Sequence, residues 1–207
     1  MIHTKFGIEK TINCPQCGDA LPLYIKHTKL VQCPSCKSNI FLEDDAVHLW
    51  GDSSVLAPEI SILTLNTPFF FEQKSYLPLG KIRYSYGRGF WEEWWVKDTH
   101  NNEYWLSIDE GDLTLQKKIE VTYPDSLFTR LRIGLVTSDE WIVTELDTAK
   151  CEGFVGSLPK KITIGSTYQY AHLGGKDAKL RTLELVEGKL EAYEGKWISP
   201  FDIGKVL

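Results

Sequence analysis

Two cysteine pairs, Cys14-Pro-Gln-Cys17 and Cys33-Pro-Ser-Cys36, stand fifteen residues apart, and this C-x2-C-x15-C-x2-C pattern constrains the chain more than any other feature. Two residues between the members of each pair let a tight turn aim both thiolates at one ion. A hairpin that returns after fifteen residues sets the second pair opposite the first. Four sulfurs complete a tetrahedron, so Cys14, Cys17, Cys33 and Cys36 are expected to hold a structural Zn2+ with no position left for water. The intervening PLYIKHTKLVQ supplies the hairpin, and Gly18 and Lys37 follow the two turns. A pair of redox-active dithiols is the alternative, but that motif belongs in a strand-helix-strand setting absent here. His27 lies between the pairs and reads as a surface residue, because four cysteines already suffice. The fifth cysteine, Cys151, stands alone in TAKCEGF and reads as a small buried hydrophobe. A ribbon with so little apolar content cannot hold a core unaided, and metal binding is expected to contribute on the order of 10 kcal/mol to its folding.

The whole chain has 207 residues, 43% of them hydrophobic, which is enough for a medium-sized domain beside the ribbon. The organisation expected is a zinc ribbon over residues 1–48, a linker over 49–58 containing GDSSVLAPE, and a β-rich domain over 59–207. In that domain KIRYSY, EEWWVKD, EWIVTEL, STYQYAHL and LRTLELVEG have the length and the β-branched and aromatic content of strands. The best helical stripe is SLFTRLRIGL, with Asp125 or Ser126 as its cap. LGKIRYSY at 79–86, Glu93 and Trp105 are echoed by IGSTYQY at 164–170, Glu184 and Trp197. The echo predicts two related meanders over about 59–122 and 140–207, closing as a barrel or a sandwich with little helix.

The net charge of −5 argues against wholesale coating of nucleic acid. No apolar run approaches the roughly 20 residues that span a bilayer, and MIHTKFGIEK lacks the marks of a secretion signal. With cysteines at metal spacing, a cytoplasmic location is expected.

GFWEEWWVKD raises a separate question. Alternation along a strand puts Phe90, Glu92, Trp94 and Val96 on one face, the better candidate for the interior, and Trp91, Glu93, Trp95 and Lys97 on the other. Trp91 and Trp95 then flank Glu93 as a contact for a protein partner. The competing reading packs both faces, and it is favoured by the echo, where Leu185 and Val186 replace Trp94 and Trp95. Glu92, Glu93, Glu145, Glu184 and Glu194 fix no catalytic pair by spacing, and no nucleophile elbow, zinc-protease helix or phosphate loop occurs. The expected function is therefore a non-enzymatic interaction protein. Two alternatives stay open: a nucleic-acid binder using Lys26 and Lys29 of the ribbon, and an enzyme, should the fold gather Glu93, Glu145 and Glu184.

The run SYLPLGKIRYSYGRGFWEEWWVKDTHNNEYWLSIDEGDL, with VTELDTAKCEGFVGSLPK and YEGKWIS, resembles the bacterial family of domains of unknown function numbered 4178, often found behind a zinc ribbon. Gly80, Tyr84, Trp91, Glu93, Trp105, Leu106, Thr144, Glu145, Gly156, Pro159, Glu194 and Gly195 carry the resemblance, across roughly residues 55–204. TLNTPFF departs from it, because relatives commonly have Gly near Asn66. The resemblance implies a bacterial cytoplasmic protein encoded near envelope-stress proteins of the phage-shock type, and it brings no catalytic residues.

Overall fold

A computed structural model describes residues 6–43, 46–51, 56–57, 59–186 and 188–205. The first cysteine turn joins β1 (Lys10–Asn13) to β2 (Ala20–Leu23), and the second joins β3 (Leu30–Gln32) to β4 (Asn39–Glu43), which pairs with β5 (Ala46–Leu49). There follow β6 (Phe69–Phe71), β7 (Lys74–Ser85), β8 (Phe90–Asp98), β9 (Glu103–Asp109) and β10 (Asp112–Ile119). The second half holds β11 (Ile142–Leu158), β12 (Thr167–Gly174), β13 (Lys179–Val186), β14 (Lys189–Ile198) and β15 (Gly204–Lys205).

Two four-stranded meanders, β7 to β10 and β11 to β14, close into an antiparallel barrel of eight strands through the pairings β10–β14 and β7–β11. Both seams need glycine. A Cβ on Gly80 would lie 2.0 Å from the Ser157 carbonyl oxygen across one seam, and one on Gly195 would lie 1.9 Å from that of Leu115 across the other. Strands can approach this closely only where no side chain intervenes. The meanders have the expected order, but the echo in the sequence is one strand out of step with it. Chain order relates β7 to β11 and β8 to β12, whereas the echo aligns β7 with β12, β8 with β13 and β9 with β14. The echoed residues therefore do not fall on equivalent strands of the two meanders.

β11 is 17 residues long and changes partners along its length: β12 first, then β7 from Lys150 onward with a bulge between Cys151 and Gly153, and finally β3 through Ser157 and Leu158. That last pairing fuses the ribbon to the barrel. Ile25 and Leu30 of the ribbon share a core with Leu77, Leu79, Trp95, Phe154 and Leu158. Lys97, 1% exposed, donates from its ammonium to the Tyr24 carbonyl at 2.8 Å. The predicted linker is partly structured: Leu49 ends β5 and the Trp50 indole donates to the Ile162 carbonyl at 3.3 Å. Residues 52–55 and 58 lie outside the described residues, as do 1–5 of the predicted ribbon.

Two expectations are corrected. The helical stripe after Pro124 forms only a 3-10 turn, Asp125–Arg130, with no side-chain cap, and Leu131 returns to extended backbone. Tertiary packing decides this: Phe128 and Leu131 bury against Trp141, Leu173, Leu183 and Ala192 on the outer wall. The faces of β8 are also reversed. Trp91, Glu93 and Trp95 point inward beside Tyr84, Ile82 and Gly80 of β7, while Trp94 and Val96 pack outside under Leu63, Phe69 and Phe71. Glu92, on the same outer face, is held by Lys81 at 2.6 Å and Arg83 at 2.8 Å. Asn66 adopts φ +58°, a left-handed conformation that Gly enters freely and Asn tolerates, which accounts for the departure in TLNTPFF.

Candidate metal centre and barrel lumen

The two cysteine turns are built alike. The Cys14 N–H donates to the Asp19 carbonyl and the Gly18 N–H to the Cys14 carbonyl; Cys33, Ser38 and Lys37 repeat the pattern. Gly18 at φ +79° and Lys37 at φ +63° both turn the chain left-handed after each pair. The four Sγ atoms of Cys14, Cys17, Cys33 and Cys36 all fall within 4.8 Å of one another. Cys14 and Cys36 are 3.6 Å apart, and Cys17 and Cys33 are 3.7 Å apart. A tetrahedron with metal–sulfur bonds of about 2.3 Å has edges of about 3.8 Å, so the arrangement fits one thiolate-bound ion. All five cysteines are free of disulfides. Ser38 Oγ lies 3.3 Å from Cys36 Sγ. Cys151 is 2% exposed and pushed up to about 11 by burial, as suits a packed thiol.

The barrel interior is the second site. Trp91 and Trp95 are 8% and 1% exposed and line its two mouths instead of an open outer face, so they do not form the exposed contact expected for a protein partner. Trp91 packs against Tyr84, Tyr86 and Tyr170. Glu93 points into a central chamber of about 20 Å3 lined by Trp105, Ser107, Gln116, His172, Thr182, Glu184 and Tyr193. Trp105 and Tyr193 also line a wider mouth of about 220 Å3 on the ribbon side, where His27, Glu103 and Lys118 stand.

Lys160, from the loop between β11 and β12, reaches inside to within 3.2 Å of Glu184 and lies over the rings of Trp105 at 5.1 Å and Tyr193 at 5.8 Å. Burial alone would lower its pKa, but the charges of Glu184, Glu93 and Glu191 together raise it, so it stays an ammonium. Glu93 is pushed up to about 7, first by burial and then by the charge of Glu184, against the pull of Lys160. The other carboxylates lie elsewhere. Glu145 binds His172 at 2.9 Å and Tyr170 at 2.9 Å by the opposite mouth, where the His172 hydrogen bond holds its pKa down. Glu194 pairs with Arg181 at 2.8 Å. The structure thus gathers Glu93 and Glu184 but not Glu145. Lys160, Gln116 and Thr182 were missed in the sequence, since only long-range strand pairing brings them beside Glu93.

The raised Glu93 pKa predicts a pH effect. Between pH 4.5, the ordinary value, and about 7 the folded state keeps a proton that the unfolded chain releases, so stability falls as pH rises through that window. Allowing for partial solvent contact, Glu93→Gln should stabilise the protein by ~2 kcal/mol at pH 8 and much less at pH 5, read from urea midpoints. A lower midpoint for the variant at pH 8 would refute this.

Fold and site together define the class: a closed antiparallel β-barrel with a four-cysteine metal-ribbon layout docked on one seam and ionisable groups in its lumen. The chain belongs to the family described as Domain of unknown function (DUF4178), whose model matches residues 68–200, the whole barrel and β6. Tyr84, Trp91, Glu93 and Trp105, which carry the resemblance, line the interior, while Gly80, Gly156 and Gly195 sit at the seams. Neither the curated proteins nor the solved structures include a significant match. No helix among the described residues is long and apolar enough to cross a membrane.

Proposed function

We propose that the protein is a non-enzymatic interaction protein whose ribbon holds one structural Zn2+ and presents the exposed tips of its cysteine turns to a protein partner. The observation that carries this is the cluster of four Sγ atoms within 4.8 Å, a saturated donor set that leaves the ion no open position for chemistry. Pro15, Gln16, Pro34 and Ser35 at the tips are exposed, whereas the tryptophans of β8 are not. A cytoplasmic, envelope-stress setting in a bacterium belongs to the same proposal and rests on the family resemblance alone.

Affinity purification with mass spectrometry from the native host tests the reading. Wild-type protein is compared with Gln16→Arg/Ser35→Arg protein that retains its metal. A partner set captured by the first and lost by the second supports the tip as the contact; identical captures refute it. The nucleic-acid alternative gains little from the structure. Lys37 is exposed but donates back to the Pro34 carbonyl at 2.6 Å and Lys29 is half-buried, while Lys10 and Lys26 are exposed. It would require steep salt dependence that Lys26→Ala relieves.

A further inference from the structure

The chamber at the centre of the barrel holds buried polar atoms that the described residues leave unpaired. Gln116 and Thr182, each 6% exposed, line it with a side-chain oxygen, Oε1 and Oγ1, that has no partner among the described residues. Glu93 faces the same space and receives one side-chain hydrogen bond, from the Trp91 indole at 3.3 Å. Lys160 supplies one positive charge, and its hydrogen bond goes to Glu184. Unpaired buried polar groups of this kind are costly and call for a partner that the protein itself does not supply.

We propose that the lumen binds a primary ammonium group carried on an aliphatic chain, seated against Glu93, Gln116 Oε1 and Thr182 Oγ1, with the chain leaving past Trp105 and Tyr193 through the ribbon-side mouth. The chamber, at about 20 Å3, exceeds the roughly 10–15 Å3 that one water-sized group requires. An ammonium offers three donors and no acceptor, and the Glu93 carboxylate, Gln116 Oε1 and the Thr182 hydroxyl oxygen, all lining one space, can each accept one. The Trp105 and Tyr193 rings carry the Lys160 ammonium on their faces, so an incoming ammonium shares this wall with a like charge that Glu184 offsets. A bare divalent ion fits less well: Ca2+ takes six or more oxygens, and Lys160 would repel it. The mouth, at about 220 Å3, takes the chain; its rim is of mixed charge, with Glu191 paired to Lys118 and Glu103 to His27. An eight-stranded barrel has about the width to admit one small ligand. The site is independent of the ribbon's role, so it stands or falls apart from the zinc reading.

The test is calorimetry and 1H–15N spectroscopy on the full metal-loaded chain at pH 8, where Glu93 is ionised. The probes are pentylamine, 1-pentanol and Nα-acetyl-lysine methylamide. Pentylamine should bind saturably and shift the Trp105 indole N–H signal, while 1-pentanol should not. Glu93→Gln, nearly isosteric, should weaken the amine about tenfold or more, and Lys160→Met should tighten it about tenfold by removing a like charge. Equal affinity for the lysine derivative assigns the ammonium to a peptide side chain; preference for pentylamine assigns it to a free amine. Absence of saturable binding, equal binding of 1-pentanol, or unchanged affinity in a folded Glu93→Gln protein overturns the proposal.

Discussion

Chelating the metal, or replacing Cys14 and Cys17 together by serine, is expected to unfold the ribbon while the barrel keeps its strands. The ribbon's own core consists of Ile12, Leu21, Leu23, Val31, Ile40 and Leu42 around Cys14 and Cys33, too few side chains to offset the ordering of five short strands. On the proposed metal reading, four metal–thiolate bonds would supply the difference, on the order of 10 kcal/mol. The barrel does not depend on them in the same way, because its eight strands are hydrogen-bonded all round and its outer wall is covered by two further apolar clusters. Hydrogen exchange separates the two outcomes. Amides of Cys14, Gly18, Cys33 and Lys37, each donating within a cysteine turn, should lose protection on chelation. Those of Ile82, Trp94 and Leu183 should keep most of theirs. Some loosening should reach Ser157 and Leu158, which pair with β3. Undiminished protection in the turns would show that the ribbon stands without metal.

Trp95→Ala should cost about 3–5 kcal/mol of unfolding free energy, the range for truncating a buried aromatic, and should move the urea midpoint accordingly. Trp95 is 1% exposed, donates from its indole to Glu103 at 3.2 Å and packs where ribbon and barrel meet. Its loss would open a cavity beneath the docking turn and leave Glu103 with His27 as its remaining side-chain partner, at 3.0 Å. Trp95→Phe, which keeps most of the volume, should lose less. A residue that served chiefly as a partner contact would show the opposite: Trp95→Ala would leave the midpoint in place.

The cysteine spacing was legible because metal geometry is local: two residues between ligands fix a turn, and the turn fixes where the sulfurs point. The strands were legible for the same reason, since Val, Ile, Tyr and Trp between turn residues mark them one at a time. The orientation of β8 was not. Alternation identifies the inside only when one face is wet, and here Trp94 and Val96 are covered from outside by Leu63, Phe69 and Phe71 while Trp91 and Trp95 fill the lumen. The acidic chamber was less visible still. Glu93, Gln116, Lys160 and Thr182 come from three strands and a loop, and each alone reads as an ordinary polar residue. One hint was present in the chain: Glu93 lies between Trp91 and Trp95 at strand spacing, so a carboxylate shares a face with two large aromatic rings.

X-ray absorption at the zinc edge, with elemental analysis of protein purified without added metal, tests the central claim most directly. One zinc per chain, ringed by four sulfurs at about 2.3 Å with no nitrogen or oxygen in the shell, is the predicted result. Iron in the site, a markedly substoichiometric metal content, or a water oxygen bound to the ion would contradict it.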